Sequence, residues 1–207
     1  MKHPQSPLIH IVDDDEAFRD SLVWLLESHD YQVVCHDSAE ALLAAFVPRG
    51  VGCLIVDIRM PGMSGLELYE ELIARDNPWP VIFITGHGDV PMAVQAVKRG
   101  AHDFLEKPFN QQALLDAVES ALAISRSRQA HDAVLGQFEE RLASLTTRER
   151  EVLDKVVDGK MNKVIADDLG ISIKTVEAHR GKMMDKMGAR SIADLVQAIM
   201  SYRQQKG

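Results

Sequence analysis

No apolar run in this sequence is long enough to cross a membrane. The longest uninterrupted one, residues 41–47, has seven residues, whereas a membrane-spanning helix needs about 20. The residues before Asp13 contain no apolar core of a signal peptide. A content of 46% hydrophobic and 26% charged residues also excludes a disordered chain, a collagen-like fibre and a coiled-coil rod. We therefore expect a soluble, cytoplasmic protein with no membrane partner.

Cysteine is scarce, since Cys35 and Cys53 are the only two in 207 residues. They do not form a C-x-x-C pair or any other spacing that is typical of metal ligands. Both lie within apolar runs, so we expect two small buried apolar side chains.

The net charge of −8 is distributed unevenly along the chain. Residues 1–125 carry a net charge of −11, whereas residues 126–207 carry +3. A basic region at one end of an acidic chain is typical of a protein that binds nucleic acid through that end. Solvated surface charge explains the asymmetry equally well, so the charge alone does not decide between the two.

The first 125 residues alternate short strand-like runs with helical patterns. Three of the runs, 8–12, 53–56 and 81–84, are almost continuously apolar, as expected of strands that are buried on both faces of a parallel sheet. The predicted strands are Leu8–Val12, Gln32–His36, Cys53–Val56, Val81–Thr85 and Asp103–Glu106, and the predicted helices are Phe18–His29, Ala39–Phe46, Gly65–Arg75, Pro91–Arg99 and one that begins at Gln111. Five such units predict a doubly wound α/β fold with a five-stranded parallel sheet.

The helix that begins at Gln111 runs into a polar stretch, residues 125–129, that contains no glycine or proline to end it. It is therefore predicted to continue as a linker over residues 126–141. Apolar residues then recur at spacings of three and four between Leu135 and Leu145. This segment either docks on the C-terminal region or pairs with another chain. Four short helices are predicted beyond it, Arg148–Val157, Asn162–Leu169, Ile173–Met187 and Ile192–Tyr202. The predicted domains are therefore residues 1–125 and 142–207.

Charged residues follow the predicted strands of the first domain. Asp13 and Asp14 follow the first strand, Asp57 the third and Lys107 the fifth. In a doubly wound sheet, ligands bind beyond the carboxyl ends of the strands. Carboxylates that converge there repel one another unless a cation lies among them. A site with one or two direct carboxylate ligands and room for water molecules suits Mg²⁺. The lysine would then neutralise a transferred phosphoryl group.

These residues belong to motifs that resemble the receiver domain of bacterial two-component response regulators. The motifs are V-D-D-D at 12–15, V-D-I-R-M-P-G-M-S-G at 56–65, I-T-G-H-G at 84–88 and L-E-K-P-F at 105–109. The resemblance covers residues 8–125 and implies the strand order 2-1-3-4-5. In that order the first strand lies between the strands that carry the two cysteines. Two inter-strand steps of about 4.8 Å exceed the Cα separation that a disulfide allows, so no disulfide is expected.

The resemblance also implies roles for individual residues. Asp57 would accept a phosphoryl group from a sensor histidine kinase, and Lys107 would pair with that group. Mg²⁺ would be bound by Asp14, Asp57 and the backbone carbonyl of Arg59, with Asp13 on a metal-bound water. Thr85 and Phe104 match the switch pair of the family, Gly86 and Gly88 would let the intervening loop move, and the peptide before Pro108 would be cis.

The C-terminal segments 145–153, 162–166 and 171–179 resemble the LuxR-type helix-turn-helix domain, over about residues 142–205. Residues 166–172 form a helix end, a tight glycine turn and a capped helix start, which is the helix-turn-helix arrangement. The second helix is expected to lie in the major groove. Both resemblances together identify the chain as a FixJ-like response regulator.

The recognition helix, predicted at Ile173–Met187, has two faces. Its inward face is expected to contain Ile173, Val176, Met183 and Met187, at helical spacing. Base contacts are expected from Glu177, Ala178 and Gly181 on the outward face. The candidates for phosphate contacts are Lys163, Lys174, Thr175, His179, Arg180, Lys182 and Lys186. Equally, His179 is open to a packing role, and Glu177 to surface pairing with Arg180 or Lys174.

The sequence therefore favours a transcription regulator that is controlled by phosphorylation and is not an enzyme beyond its own phosphorylation and dephosphorylation. Its expected partners are a sensor histidine kinase, duplex promoter DNA, RNA polymerase and, once phosphorylated, a second copy of itself. One alternative is a phosphohydrolase with Asp57 as nucleophile. The other is an adaptor whose C-terminal domain binds protein or RNA.

Overall fold

The computed structural model describes residues 6–86 and 90–206. The chain divides into two compact units, Met1–Ala130 and His131–Gly207. The boundary falls inside the segment 126–141 that is predicted to be a linker. Gly88, whose predicted role is to let the loop after the fourth strand move, lies outside the described residues. None of the described helices is long and apolar enough to span a membrane.

The first unit is a five-stranded parallel sheet with helices on both faces. Its strands lie in the order β2-β1-β3-β4-β5, and all four neighbouring pairs are parallel. The strands are β1 (Leu8–Val12), β2 (Gln32–His36), β3 (Gly52–Asp57), β4 (Val81–Thr85) and β5 (Asp103–Glu106), and the helices are α1 (Glu16–Glu27), α2 (Ala39–Ala45), α3 (Gly65–Ala74), α4 (Val90–Lys98) and α5 (Gln111–Ala143). The predicted fold and strand order are confirmed.

Alternate residues of the central strands pack into two separate apolar clusters. Leu54 and Val56 of β3 belong to the cluster that contains Leu68 of α3. Cys53 and Ile55 of the same strand belong to the cluster that contains residues of α1 and α5. All six residues of β3 are buried, because helices cover both faces of the sheet. This packing sets the register that brings the carboxyl ends of the strands to one edge.

The two cysteines have different environments. Cys53 is buried, and burial raises the pKa of its thiol to about 12. The prediction that Cys35 is buried is wrong, because its side chain is exposed. Its strand, β2, lies at the edge of the sheet and pairs only with β1 in that sheet. Both cysteines are free, and β1 lies between their strands as expected.

Helix α5 contributes to both units. In the first unit, its Leu114 and Val118 are completely buried against the sheet, and the Ser125 hydroxyl accepts a hydrogen bond from the Gly52 N–H at 3.0 Å. In the second unit, Phe138 and Leu142 pack against a cluster that is built largely from the later helices. The docked interpretation is therefore confirmed for these two residues.

The second unit contains four helices after α5. They are α6 (Thr147–Val157), α7 (Asn162–Leu169), α8 (Ile173–Met187) and α9 (Ile192–Lys206). Thr146 caps α6 and Ser172 caps α8 through their hydroxyl groups. Gly170 ends α7 in the left-handed conformation at φ 64°, which glycine adopts without a steric cost.

A buried carboxylate links three segments of the second unit. The Glu149 side chain, 3% exposed, accepts hydrogen bonds from the Thr146 N–H at 2.9 Å and from the Lys186 Nζ at 2.7 Å. The Lys186 ammonium also donates to the Ser144 carbonyl at 3.0 Å. The hydrogen bond from Lys186, together with that from Thr146, lowers the pKa of Glu149 to about 2.

The stability of the second unit is expected to decrease as the pH decreases, because Glu149 becomes protonated. Its pKa is lowered from 4.5 to about 2 on folding, so the ionised side chain stabilises the unit above about pH 4.5 and this contribution is lost as the pH falls towards 2. Amide hydrogen exchange in α6 of the full chain, corrected for intrinsic rates, measures the loss.

In Glu149→Gln, the part of this pH dependence that arises from residue 149 should disappear, and the unit should be less stable at neutral pH. Glu151→Gln is the matched control, because Glu151 pairs on the surface with Arg148 at 2.7 Å. The same pH dependence in parent and Glu149→Gln would show that Glu149 does not cause it.

Candidate functional site

Two carboxylates and one ammonium meet at the carboxyl edge of the sheet. The Lys107 Nζ donates to Asp57 Oδ1 at 2.8 Å and to Asp13 Oδ2 at 3.1 Å. Asp13 is 1% exposed and Asp57 7% exposed. Asp57 ends β3, Asp13 follows β1 directly, and Lys107 follows β5. Three of the residues that the sequence predicts for the site are therefore in direct contact.

Backbone N–H groups bind the remaining carboxylate oxygens. The Arg59 N–H donates to Asp57 Oδ2 at 2.7 Å, and the Asp15 N–H donates to Asp13 Oδ1 at 2.9 Å. The Arg19 guanidinium donates to the Asp13 carbonyl. Each carboxylate oxygen thus has a donor, which buried polar groups require.

Burial and the lysine act on the carboxylate in opposite directions. Burial raises the pKa of Asp57 and outweighs the hydrogen bond and the charge of Lys107, which lower it. For Lys107, burial acts to lower the pKa, but the hydrogen bonds and negative charges of Asp57 and Asp13 outweigh it and raise the pKa. The lysine therefore stays charged beside the two carboxylates.

The donor set fits a hard cation that retains much of its hydration. Asp13 and Asp57 lie at one ammonium, and Asp14, the next residue after Asp13, is exposed to solvent. In residues 6–86 and 90–206, no three His, Cys, Asp or Glu side chains form a group that could hold a metal ion. Mg²⁺ binds through one or two carboxylates and several waters, so these oxygen donors suit it without a closed cage.

The predicted switch residues lie on the neighbouring strands. Thr85 ends β4, is 1% exposed, and donates its hydroxyl hydrogen to the Gly86 carbonyl at 3.2 Å. The Lys107 backbone N–H donates to the Thr85 carbonyl at 2.8 Å. Phe104 of β5 is half-buried and lies opposite Phe83 of β4. The peptide between Lys107 and Pro108 is cis, as the resemblance implies.

The sequence did not predict that Phe18 is part of this site. The Lys107 Nζ lies 4.0 Å from the centre of the Phe18 ring, a distance typical of a cation–π contact. From the sequence, Phe18 belongs only to the apolar stripe of α1. No local pattern could have paired it with Lys107, because 89 residues separate the two in the chain.

Helix α8 presents most of the predicted DNA-binding residues to solvent. Its exposed positions include Lys174, Thr175, Glu177, Ala178, Gly181 and Lys182, and Lys163 of α7 is also exposed. Val176, Met183 and Met187 are buried as predicted. The prediction that Ile173 packs inward is wrong, since it is 45% exposed: α8 begins at this residue, and Val176 is its first residue in the apolar cluster with α6 and α7.

Three other candidates make contacts within the second unit or are partly covered. His179 is half-buried. The Arg180 guanidinium donates to Asn162 Oδ1 at 2.9 Å. Lys186 is held by Glu149 and Ser144, so a phosphate contact by Lys186 would require these bonds to break.

Comparison with known proteins agrees with this geometry. Residues 9–119 match the response regulator receiver domain family, and residues 143–199 match the luxR family of bacterial regulatory proteins. The chain is 50% identical to the transcriptional regulatory protein FixJ of Azorhizobium caulinodans, over 95% of this chain and 93% of that protein. It is 46% identical to FixJ of Rhizobium meliloti, over 93% and 95% of the two chains.

Solved structures give the same result. The response regulator StyR matches with a TM-score of 0.86 and 45% identity, over 95% of this chain and 100% of StyR. Full-length FixJ from B. japonicum matches with a TM-score of 0.59 and 42% identity, over 96% and 98% of the two chains. The chain therefore belongs to the two-component response regulators that control transcription through a receiver domain and a LuxR-type DNA-binding domain.

Proposed function

We propose that a sensor histidine kinase phosphorylates Asp57 in the presence of Mg²⁺, and that the phosphorylated protein dimerises and binds promoter DNA in the cytoplasm. The observation that carries the proposal is the Lys107 ammonium, which bridges Asp57 and Asp13 at 2.8 and 3.1 Å. Family membership supports it. It also argues against the phosphohydrolase and the adaptor as alternatives.

The chemistry follows from the residues around Asp57. A carboxylate oxygen attacks phosphorus, the bond between phosphorus and the donor atom breaks with its electron pair leaving on the donor, and an acyl phosphate remains on Asp57. Lys107 neutralises the charge on the phosphoryl oxygens. Asp14, Asp57 and the Arg59 carbonyl, with Asp13 through a water, would hold Mg²⁺, which supplies further neutralisation when bound. Small phosphodonors would serve as well. Slow autodephosphorylation, in which water attacks phosphorus, would release inorganic phosphate and return Asp57 to the free carboxylate.

The switch then follows from the new negative charge. A phosphoryl group on Asp57 presents strong acceptors, which draw the Thr85 hydroxyl away from its present partner, the Gly86 carbonyl. Movement of Thr85 leaves space into which Phe104 can turn. The change at Asp57 thereby reaches the surface of α4 and β5.

Phosphorylation is expected to depend on Asp57 and on Mg²⁺. Incubation of the parent with acetyl phosphate should add one phosphoryl group by intact mass, and chelation of the metal should abolish the addition. Asp57→Asn should not be labelled, and Asp14→Ala should keep the fold but lose most labelling. Asp37→Asn, a change in an exposed carboxylate that follows β2, is the matched control. Equal labelling of parent and Asp57→Asn would overturn the assignment.

Dimerisation is expected through the α4–β5 face, because Thr85 and Phe104 lie beside it. Moving an equilibrium from 1:99 to 99:1 requires about 5.5 kcal/mol, to which the bonds of Thr85 and Lys107 with the phosphoryl group contribute along with dimer contacts. Sedimentation should show a doubling of mass on phosphorylation of the parent and no change in Asp57→Asn. The same mass before and after, at concentrations that saturate DNA binding, would exclude this step.

DNA binding is expected through the exposed face of α8, with RNA polymerase as a further partner at the promoter. A dimer presents two equivalent recognition helices, so the target consists of two half-sites related by two-fold symmetry. Lys163, Lys174, Thr175, Lys182 and, with rearrangement, His179, Arg180 and Lys186 would contact phosphates. Glu177, with Ala178 and Gly181, would contact bases; the major-groove donor that suits a carboxylate is the N4 amino group of cytosine.

Glu177→Ala is expected to lose about 1–3 kcal/mol of discrimination at one position of each half-site, as measured by selection from random duplexes. Lys182→Ala should weaken binding to every sequence and reduce the salt slope by about one. Arg203→Ala, which removes an exposed cation of α9 that pairs with Asp154, is the control. Unchanged preference at all positions in Glu177→Ala would leave Glu177 as surface charge.

A further inference from the structure

The Lys107 ammonium contacts two carboxylates and one aromatic ring. Two N–H groups point to Asp57 Oδ1 at 2.8 Å and Asp13 Oδ2 at 3.1 Å. The Nζ also lies over the ring of Phe18, with the ring centre 4.0 Å away. The face of an aromatic ring carries negative electrostatic potential and attracts a cation at this distance.

The Phe18 ring is itself oriented by its surroundings. It meets the Phe109 ring edge to face, at 6.1 Å between centres and 82° between planes. Both rings pack against the apolar cluster between the sheet, α1 and α5. Phe109 is two residues from Lys107 in the chain, but the cation contact found there is with Phe18 alone among the described aromatic rings. The two phenylalanines therefore share this cluster, but the contact with the ammonium belongs to Phe18.

We infer that Phe18 is a positioning residue of the phosphoryl-transfer site, because the face of its ring holds the Lys107 ammonium against Asp57 and Asp13. The inference rests on the proposed phosphorylation of Asp57. The transferred phosphoryl group carries negative charge on its oxygens in the transition state, and a cation that is held in place beforehand stabilises that charge best. Without the ring, the ammonium would lose this attraction and would be held less firmly against Asp57.

Stepwise fluorination of the Phe18 ring separates this role from packing. Each fluorine lowers the negative potential of the ring face and leaves its size nearly unchanged. With Phe18 replaced by mono-, di- and trifluorophenylalanine in the full chain, the maximal rate of Asp57 labelling by acetyl phosphate should fall stepwise, by about three- to tenfold overall. The half-saturating concentration of acetyl phosphate should stay within about twofold, because the ring does not contact the donor.

A matched series at Phe109 and two substitutions of Phe18 complete the experiment. The same series at Phe109 should leave the rate unchanged, since that ring does not contact Lys107. Phe18→Tyr should retain the rate, whereas Phe18→Leu should lose it to the same degree as the trifluorinated ring. A rate that does not respond to fluorination at Phe18, or that responds equally at Phe109, overturns the inference.

Unfolding without Mg²⁺ gives a readout that does not depend on phosphorylation. Denaturant unfolding of the first unit can be followed through the buried Trp79, which is 3% exposed. Fluorination at Phe18 should shift the unfolding equilibrium in the parent and not in Lys107→Met. Equal shifts in both backgrounds would reduce Phe18 to a packing residue. Absence of labelling in the unsubstituted parent would instead overturn the proposed function, so the two failures are distinguishable.

Discussion

Two carboxylates are buried next to each other at the carboxyl edge of the sheet, and the rest of the first unit is arranged so that this is tolerable. Burial of a charged group is costly unless the group is paired and hydrogen-bonded. Lys107 bridges Asp13 and Asp57, and the N–H groups of Asp15 and Arg59 bind the other oxygens. One lysine and two backbone N–H groups therefore provide a hydrogen bond to every carboxylate oxygen of Asp13 and Asp57, which offsets the cost of burying the two charges.

This arrangement depends on the register of the parallel sheet. Val12 lies opposite Val56, and Asp57 lies opposite Ile84, so the residues that end or follow β1, β3, β4 and β5 reach the same edge. The register in turn depends on burial of both faces, because a shift by one residue would exchange the two apolar clusters. The packing of the core therefore also sets the geometry of the site in this unit.

The second unit uses a buried carboxylate for a different purpose. Glu149 satisfies the first turn of α6 and pairs with Lys186 near the end of α8. The bond joins α8 to α6, while most of the residues that are predicted to contact bases and phosphates remain exposed. The lysine that sequence reasoning placed among the phosphate contacts is therefore held within the unit.

The sequence by itself determined the elements and the identity of most of the site. The alternation of strand-like runs with helical patterns predicts four of the five strands and both α7 and α8 with the bounds that the structure has. The motif residues Asp13, Asp57, Thr85 and Lys107 follow from their places at strand ends. Local sequence carries this information because each signal lies within one element and its cap.

Only the tertiary structure decided which side chains meet across elements. The contact of Lys107 with Phe18, the exposure of Cys35 on an edge strand and of Ile173 at a helix start, and the ion pair of Glu149 with Lys186 all depend on packing between distant segments. The contact between the buried rings of His10 and His36, with 2.8 Å between His10 Nδ1 and His36 Nε2, depends on packing in the same way. Burial lowers the pKa of His10 to about 4. The physical reason is that a residue type reports its own preference for burial and conformation, whereas a contact depends on the register and packing of two elements at once.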